Sequence, residues 1–137
     1  MSKALNYLGI ARMSGNIELG EDNAKALVKE GKARLLIVAS DTSDAAKRRA
    51  DGYVFGFSTP LLEVPFTKEE ISRAVGKPGC SMAAIRDLGL TTSFVRALAE
   101  EYGAAYTELA QTMEDKAERA KARKGKVGKT GNRRKCE

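Results

Sequence analysis

The sequence predicts an α/β fold, a three-layer α/β/α sandwich with a small mixed sheet, followed by a basic C-terminal helical or disordered tail. Short apolar runs alternate with amphipathic helical segments along the chain, which is typical of α/β domains. The run LLIVA at 35–39 has no polar alternation and is bounded by polar residues, which indicates a strand covered on both faces. The 137 residues have room for one such domain and a short extension.

Capping signals place the elements of the first half of the chain. A serine, threonine or aspartate before an apolar stripe marks a helix start, and a glycine marks a helix end. Glu21 and Asp22 lie in the first turn of the second helix, where they suit the positive end of its dipole. The predicted elements are a helix from Ser2 to Gly15, a short extended piece at 17–19, a helix at 21–30 closed by Gly31, a strand at 35–39 and a capped helix ending at Gly52.

The second half of the chain continues this alternation. Thr67 and Glu70, three residues apart, form a capping box before an apolar stripe that begins at Ile71. The predicted elements are a strand at 61–64, a helix at 67–76, a strand at 80–85, a helix at 91–102 and a helical stripe from 104 that frays near Gly125. We expect residues 1–103 to form the folded domain and residues 104–137 to form a C-terminal helix and basic tail.

The positive charge of the chain is concentrated near its C-terminus. Of the 24 Lys and Arg residues, nine lie between Arg119 and Lys135, a stretch without Asp or Glu. Glu137 is the one acidic residue after position 118. The first 118 residues therefore carry 15 basic and 17 acidic residues. Such a basic arm is usually solvated and disordered; binding polyanions is its commonest function, and inert solubility is the alternative. The RNA contacts expected from the arm are Arg123, Lys124, Lys126, Lys129, Arg133, Arg134 and Lys135.

The sequence lacks the motifs of nucleotide-binding and catalytic sites. Gly20 stands alone before its helix, and GKPGCS at 76–81 precedes a strand, so neither a dinucleotide motif nor a P-loop is present. The chain has no histidine, which is the commonest general base and metal ligand. The cysteines, Cys80 and Cys136, have no metal-ligand spacing. We therefore predict no enzymatic activity, no cofactor and no metal.

Asp41 and Cys80 each have a catalytic and a structural interpretation. Asp41 follows the central strand, where α/β enzymes place functional carboxylates, but SDTSD at 40–44 also suits an Asx turn or a helix cap. Cys80 has no base nearby in sequence and suits a small apolar position in a strand. We favour the structural interpretation of both, and keep a small-ligand or enzyme site at Asp41 and the 76–81 loop as a third hypothesis.

The helix that begins after Gly20 is suited to binding phosphates. Helix N-termini present unpaired N–H groups, and a glycine allows close approach of a ligand. In the first turn, Asn23 can pair with a base edge and Lys25 with a phosphate. The alternative is a well-capped helix with solvated polar positions, and these residues alone do not decide between the two.

The order of these segments resembles a known family. LGIARMSGNIELGEDNAKALVKEGKARLLIVASDTSDAAKRR, followed by VPFTKEEISRAVGK, is similar to the ribosomal protein L-seven-Ae / L-thirty-e superfamily, and within it to the bacterial YlxQ-type branch. The resemblance covers residues 4–100 approximately. It implies an α/β/α sandwich that binds kinked RNA, with the glycine-led helix start in the widened groove and a later loop gripping a flipped-out nucleotide.

The resemblance also implies a set of RNA-binding residues. In kink-turn binders the helix start has the sequence Gly-x-Asn-Glu-x-x-Lys. This chain has Asp22 in place of the Asn, Asn23 in place of the Glu and Ala26 in place of the Lys. Lys25 lies one position before the place of that lysine. The gripping loop corresponds to residues 76–81, which lack the family's apolar–acidic–apolar sequence. Outside the arm, the expected RNA-binding residues are Gly20, Glu21, Asp22, Asn23, Lys25, Lys47, Lys77, Pro78, Gly79, Cys80 and Ser81.

These observations together predict a non-enzymatic, cytoplasmic RNA-binding protein associated with ribosomes or their assembly. Its partners would be ribosomal or kink-turn RNA and ribosome-associated proteins. No window approaches the roughly 20 apolar residues of a membrane span, so we expect no membrane partner. The alternative is a protein-interaction module of the same fold in which only the tail contacts nucleic acid, which the mild negative charge of residues 1–118 favours.

Overall fold

Helices and strands alternate along most of the chain that the structure describes, and two helices follow one another at the end of this part. The computed structural model describes the backbone of residues 2–130 and the side chains of residues 2–103 and 105–119. The elements in this part of the chain are α1 Lys3–Met13, β1 Ile17–Leu19, α2 Glu21–Lys29, β2 Leu35–Val38, α3 Asp44–Val54, β3 Leu61–Glu63, α4 Lys68–Val75, β4 Met82–Ile85, α5 Leu88–Tyr102 and α6 Thr107–Thr130, with a short 3-10 turn at Ala104–Tyr106 before α6.

The four strands form one mixed sheet in the order β1-β4-β2-β3. β2 and β3 are parallel, whereas β4 is antiparallel to both β1 and β2. Leu19 is opposite Ala83, and Val38 is opposite Met82. The ends of β1 and β2 therefore meet the start of β4 at one edge of the sheet, which we call the upper edge.

Helices cover both faces of the sheet, which confirms the predicted three-layer sandwich. β2 shows why, because all four of its side chains are buried although they point alternately to opposite faces. Leu35 and Ile37 belong to the core formed with α1, α4, α5 and the first half of α6. Leu36 and Val38 belong to a smaller core formed with α2 and α3.

The predicted caps account for most helix boundaries. The Ser2 side chain accepts a hydrogen bond from the Ala4 amide, and Thr67 and Glu70 make both bonds of the capping box. Gly76 ends α4 in the left-handed conformation. These local signals therefore set where the helices begin and end, as expected from the sequence.

The boundaries of α3, α5 and β4 differ from the predicted ones by two or three residues. α3 continues through Gly52 to Val54, because Tyr53 and Val54 pack against the smaller core. α5 begins at Leu88 instead of Thr91, because Asp87 caps it by accepting from the Leu90 amide at 2.8 Å. β4 begins two residues after Cys80.

α6 is longer than predicted and is attached to the domain. It continues past Gly125 to Thr130. Ala110 and Met113 are buried in the larger core, and Arg96 of α5 forms an ion pair with Glu114 at 3.0 Å. The first half of α6 is thus part of the folded core, while the division at residues 103 and 104 stays a prediction. Within residues 2–130, no helix has the length and apolar character needed to cross a bilayer.

Candidate nucleic-acid interface

The upper edge brings together three segments that are distant in sequence: the start of α2, the 76–81 loop and the turn after β2. The Gly20 amide donates to the Met82 carbonyl at 2.9 Å, which attaches the start of α2 to the start of β4. The Ser81 carbonyl accepts from the Ala39 amide at 2.9 Å and from the Thr42 hydroxyl at 3.4 Å. Backbone pairing in the sheet therefore positions the predicted helix start and the predicted loop side by side.

Gly20 lies directly beneath Lys77. A Cβ atom added to Gly20 would lie 3.6 Å from the Lys77 Nζ. Gly20 has φ 92° and ψ 158°, a backbone conformation almost confined to glycine, and it gives α2 no side-chain cap. An uncapped helix start leaves first-turn amides available to an anion, and here an ammonium group stands next to them.

Ser72 of α4 fixes the shape of the 76–81 loop. Its carbonyl accepts from the Lys77 amide at 3.1 Å, and its hydroxyl accepts from the Cys80 amide at 2.9 Å. Between these two points, Lys77, Pro78 and Gly79 are exposed. The loop therefore presents three residues on a short, anchored turn, and Ser81 is half-buried at its end.

The side chain of Cys80 packs into the core and is not available for a contact with RNA. Its side chain is 1% exposed and belongs to the larger core. The thiol donates to the Met82 carbonyl at 3.6 Å, and burial raises the pKa of the thiol. The structural interpretation of Cys80 is therefore the correct one, and RNA could reach only the backbone of this residue.

Glu21 is held by α3. Its carboxylate accepts two hydrogen bonds from the Arg49 guanidinium, at 2.6 and 3.0 Å, and a further one from the Tyr53 hydroxyl. These bonds, that from Arg49 first, lower the pKa of Glu21 to about 2. The sequence gives no signal for this pairing, since Arg49 and Tyr53 lie in another helix. Glu21 thus attaches α2 to α3, and its oxygens are already occupied.

The remaining polar residues of the first turn of α2 are more accessible. Asp22, Asn23 and Lys25 are all exposed. The Asn23 amide nitrogen donates back to the Leu19 carbonyl at 2.9 Å, which leaves its oxygen as the available acceptor. The Lys25 Nζ lies 5.4 Å from the centre of the Tyr53 ring, a cation–π contact.

Lys47 and Asp41 have intramolecular roles. The Lys47 Nζ forms an ion pair with Glu63 at 3.0 Å and lies 3.5 Å from the Ser40 carbonyl, so the expected phosphate contact would compete with these partners. Asp41 accepts from the Lys68 amide at 2.8 Å. Asp41 therefore has a structural contact, but not the predicted Asx turn or helix cap: it accepts from a first-turn amide of α4, which Thr67 caps, and α3 is capped by Ser43.

The arm residues fall partly within the described chain. The backbone at positions 123, 124, 126 and 129 belongs to α6. The side chains of Arg123, Lys124, Lys126 and Lys129 lie outside the described side chains, and Arg133, Arg134 and Lys135 lie outside the described residues altogether. Their expected RNA contacts stay predictions.

One sequence relative carries a functional description. The chain is 32% identical over 76 residues to the RNA-binding protein YlxQ of Enterococcus faecium, and the match covers 56% of this chain and 73% of that protein. No protein-family model matches the chain.

Solved structures share the fold at lower identity. A Bacillus halodurans protein of unknown function superposes with a TM-score of 0.66 at 22% identity, covering 72% of this chain and 98% of that one. The Giardia lamblia 15.5kD RNA-binding protein gives a TM-score of 0.57 at 21% identity, covering 70% and 82%. Taken with the sequence relative, this common fold shows that the chain belongs to the YlxQ-type branch of the ribosomal protein L-seven-Ae / L-thirty-e superfamily.

Proposed function

We propose that this chain is a non-enzymatic RNA-binding protein that recognises structured, kinked RNA through its upper edge. The observation that carries the proposal is the position of the Lys77 ammonium over Gly20, beside the uncapped start of α2. Its sequence relative from Enterococcus faecium is described as an RNA-binding protein. The partner that we propose is ribosomal or kink-turn RNA in the cytoplasm.

The geometry of the upper edge suits a sharply bent phosphate backbone. The Lys77 ammonium lies beside Gly20, directly before the first-turn amides, so the helix dipole and the ammonium charge would both attract a phosphate bound at this helix start. Asp22 and Asn23 offer exposed acceptor oxygens next to this cluster. Carboxylate and amide oxygens accept from base amino groups, so these two side chains would contact base edges in a widened groove.

The basic arm would supply affinity that does not depend on sequence. Each phosphate contact to a single strand steepens the dependence of log affinity on log salt by about 0.7, and each contact to a duplex by about 0.9. The acidic balance of the first 118 residues means that most of this charge effect comes from the arm. Shape selectivity and salt-dependent affinity would therefore reside in different parts of one chain.

Fluorescence anisotropy with full-length variants separates these two contributions. The probes are a kink-turn RNA and a plain duplex of equal length, each at two salt concentrations. One variant replaces the seven arm residues by glutamine, and another is Lys77→Ala. Lys32→Ala is the matched control, because Lys32 is an exposed lysine in the loop between α2 and β2, remote from the upper edge.

We expect the arm variant to keep its preference for the kinked RNA while its salt dependence becomes shallower. Lys77→Ala should weaken binding of the kinked RNA roughly tenfold, since a charge-assisted hydrogen bond is lost, whereas Lys32→Ala should not. Equal binding of both RNAs by the wild-type chain would refute shape recognition.

A protein-interaction module of the same fold is the second candidate. It is favoured by Glu21 and Lys47, both of which have intramolecular partners at the surface where RNA contacts were expected. In that case the arm variant would bind neither RNA, and Lys77→Ala would have no effect on RNA affinity. The anisotropy experiment therefore distinguishes the two functions directly.

A further inference from the structure

α2 carries a row of side chains that pair with α3 and with the segment directly after it, and this row leads away from the upper edge. Glu21 pairs with Arg49, Lys25 lies over Tyr53, and four residues later the Lys29 Nζ lies 5.1 Å from the centre of the Phe57 ring. The two helices thus run past one another in the same direction, with contacts repeating at every turn. We call Lys25, Lys29, Tyr53, Phe55 and Phe57 the lysine–aromatic face.

The two lysines of this face are positioned by aromatic rings and not by ion pairs. Among the side chains that the structure describes, neither Lys25 nor Lys29 has a carboxylate within ion-pair distance. Each ammonium instead rests on an aromatic ring, which restricts the side chain while leaving its N–H donors for a ligand. The face therefore offers pre-positioned cations whose charge is available to an anion.

Phe55 adds an aromatic surface that the core does not use. It is the C-terminal cap of α3, its side chain is 84% exposed, and Gly56 with φ 83° turns the chain directly after it. Phe57, two residues later, is 37% exposed although it lies beneath Lys29. Two phenylalanine rings are thus exposed within three residues of the chain, the second of them beneath a lysine, and together they offer a surface for a ligand with both a flat face and a negative charge.

We propose that the lysine–aromatic face binds a single-stranded RNA segment. This segment would extend from the structured RNA that is bound at the upper edge. Unpaired RNA combines the two properties that the face requires, since every base has a stacking surface and every nucleotide a phosphate. From Lys25 to Lys29 the face spans about 6 Å of helix, which equals roughly two stacked nucleotides. This inference rests on the proposed function, because the row begins at the residue after Gly20.

The test compares one kinked RNA in two forms, with blunt ends and with a five-nucleotide unpaired extension at either end. Full-length protein is titrated against both RNAs by fluorescence anisotropy, and the ratio of the two affinities isolates the contribution of the extension. We expect the wild-type chain to bind one extended form roughly tenfold tighter, the effect of one stacked base. An abasic extension should lose most of this gain.

Two variants and one control assign the gain to the lysine–aromatic face. Phe55→Ala should abolish the stacking part of the gain, whereas Phe55→Trp should retain it. Replacing Lys25 and Lys29 by glutamine should reduce the salt slope measured with the extended RNA by about 1.4. Met13→Ala is the matched control, because Met13 is 91% exposed at the end of α1, outside this face, and should leave the ratio unchanged.

The outcomes separate this inference from the proposed function. If the wild-type chain binds the blunt kinked RNA but gains nothing from either extension, the inference is wrong and the proposed function stands. An unchanged gain in Phe55→Ala would also overturn it, and would leave Phe55 to a protein partner. If the wild-type chain prefers no kinked RNA at all, both proposals fail together.

Discussion

Gly20→Ala tests why glycine is required at the start of α2. The requirement could come from the backbone conformation or from the space around the residue. A methyl group there would have only the flexible end of Lys77 nearby, at 3.6 Å, so no clash is expected. The cost comes from φ 92° and ψ 158°, a region where other residues carry strain of about 1–3 kcal/mol. The substitution also stiffens the unfolded chain, which offsets about 0.4–1 kcal/mol. If the strain is at the upper end of its range, the free energy of unfolding should fall by about 2 kcal/mol after this offset.

Gly31→Ala is the matched control for this prediction. Gly31 also has positive φ, 74°, with open space around it, but it directly follows the cap of α2, and the Lys32 amide donates to the Leu27 carbonyl, the pattern in which a left-handed residue commonly ends a helix. Its strain of about 1–2 kcal/mol is largely offset by the same unfolded-state effect, so a loss below about 1 kcal/mol is expected. Urea denaturation followed by circular dichroism gives both values. Equal stability of the two variants would refute the argument that Gly20 is needed for its conformation.

Three further predictions concern single side chains of the described domain. Asp41→Ala removes the acceptor for the Lys68 amide and should cost about 1 kcal/mol in a urea titration, whereas a catalytic Asp41 would be stability-neutral. The folded-state pKa of Glu21 is about 2, below its ordinary value of 4.5, so its ion pair stabilises the fold above pH 4.5 and is lost as the pH falls toward 2. Since both partners are partly exposed, we expect about 1 kcal/mol, and Glu21→Gln should flatten this part of the pH–stability curve. Cys80 should react with a thiol reagent at least tenfold faster in urea than in buffer, because it is buried and its pKa is raised; equal rates would contradict the packing described.

Local sequence signals are sufficient to predict the layers of the fold and most boundaries of its helices and strands. The unbroken apolar run of β2 and the Thr67–Glu70 capping box depend only on neighbouring residues, and both appear as predicted. The boundaries that differ depend on distant contacts instead. α3 continues past Gly52 because Tyr53 contacts Glu21, which no local pattern reports.

The candidate site was less accessible to sequence reasoning for the same reason. Gly20 and Lys77 were both expected, but their juxtaposition follows from the register of β1 and β4. The occupation of Glu21 by Arg49 could not be predicted, because ion pairs between helices leave no periodic signal. The aromatic partners of Lys25 and Lys29 were missed too, since cation–π contacts require the packing of α2 on α3.

The strand order has a consequence for synthesis of the chain. β4 is the last strand to be made, yet it lies between β1 and β2, so Ile17 waits unpaired until Ile85 is available. Chains emerge from the N-terminus first, and distant pairings form slowly. A nascent chain that stops before Met82 would therefore contain α2 and the 76–81 loop, but not the strand that places Gly20 and Lys77 side by side. The upper edge is completed in a single late step, so incomplete chains should compete poorly with finished ones for a ligand at this edge.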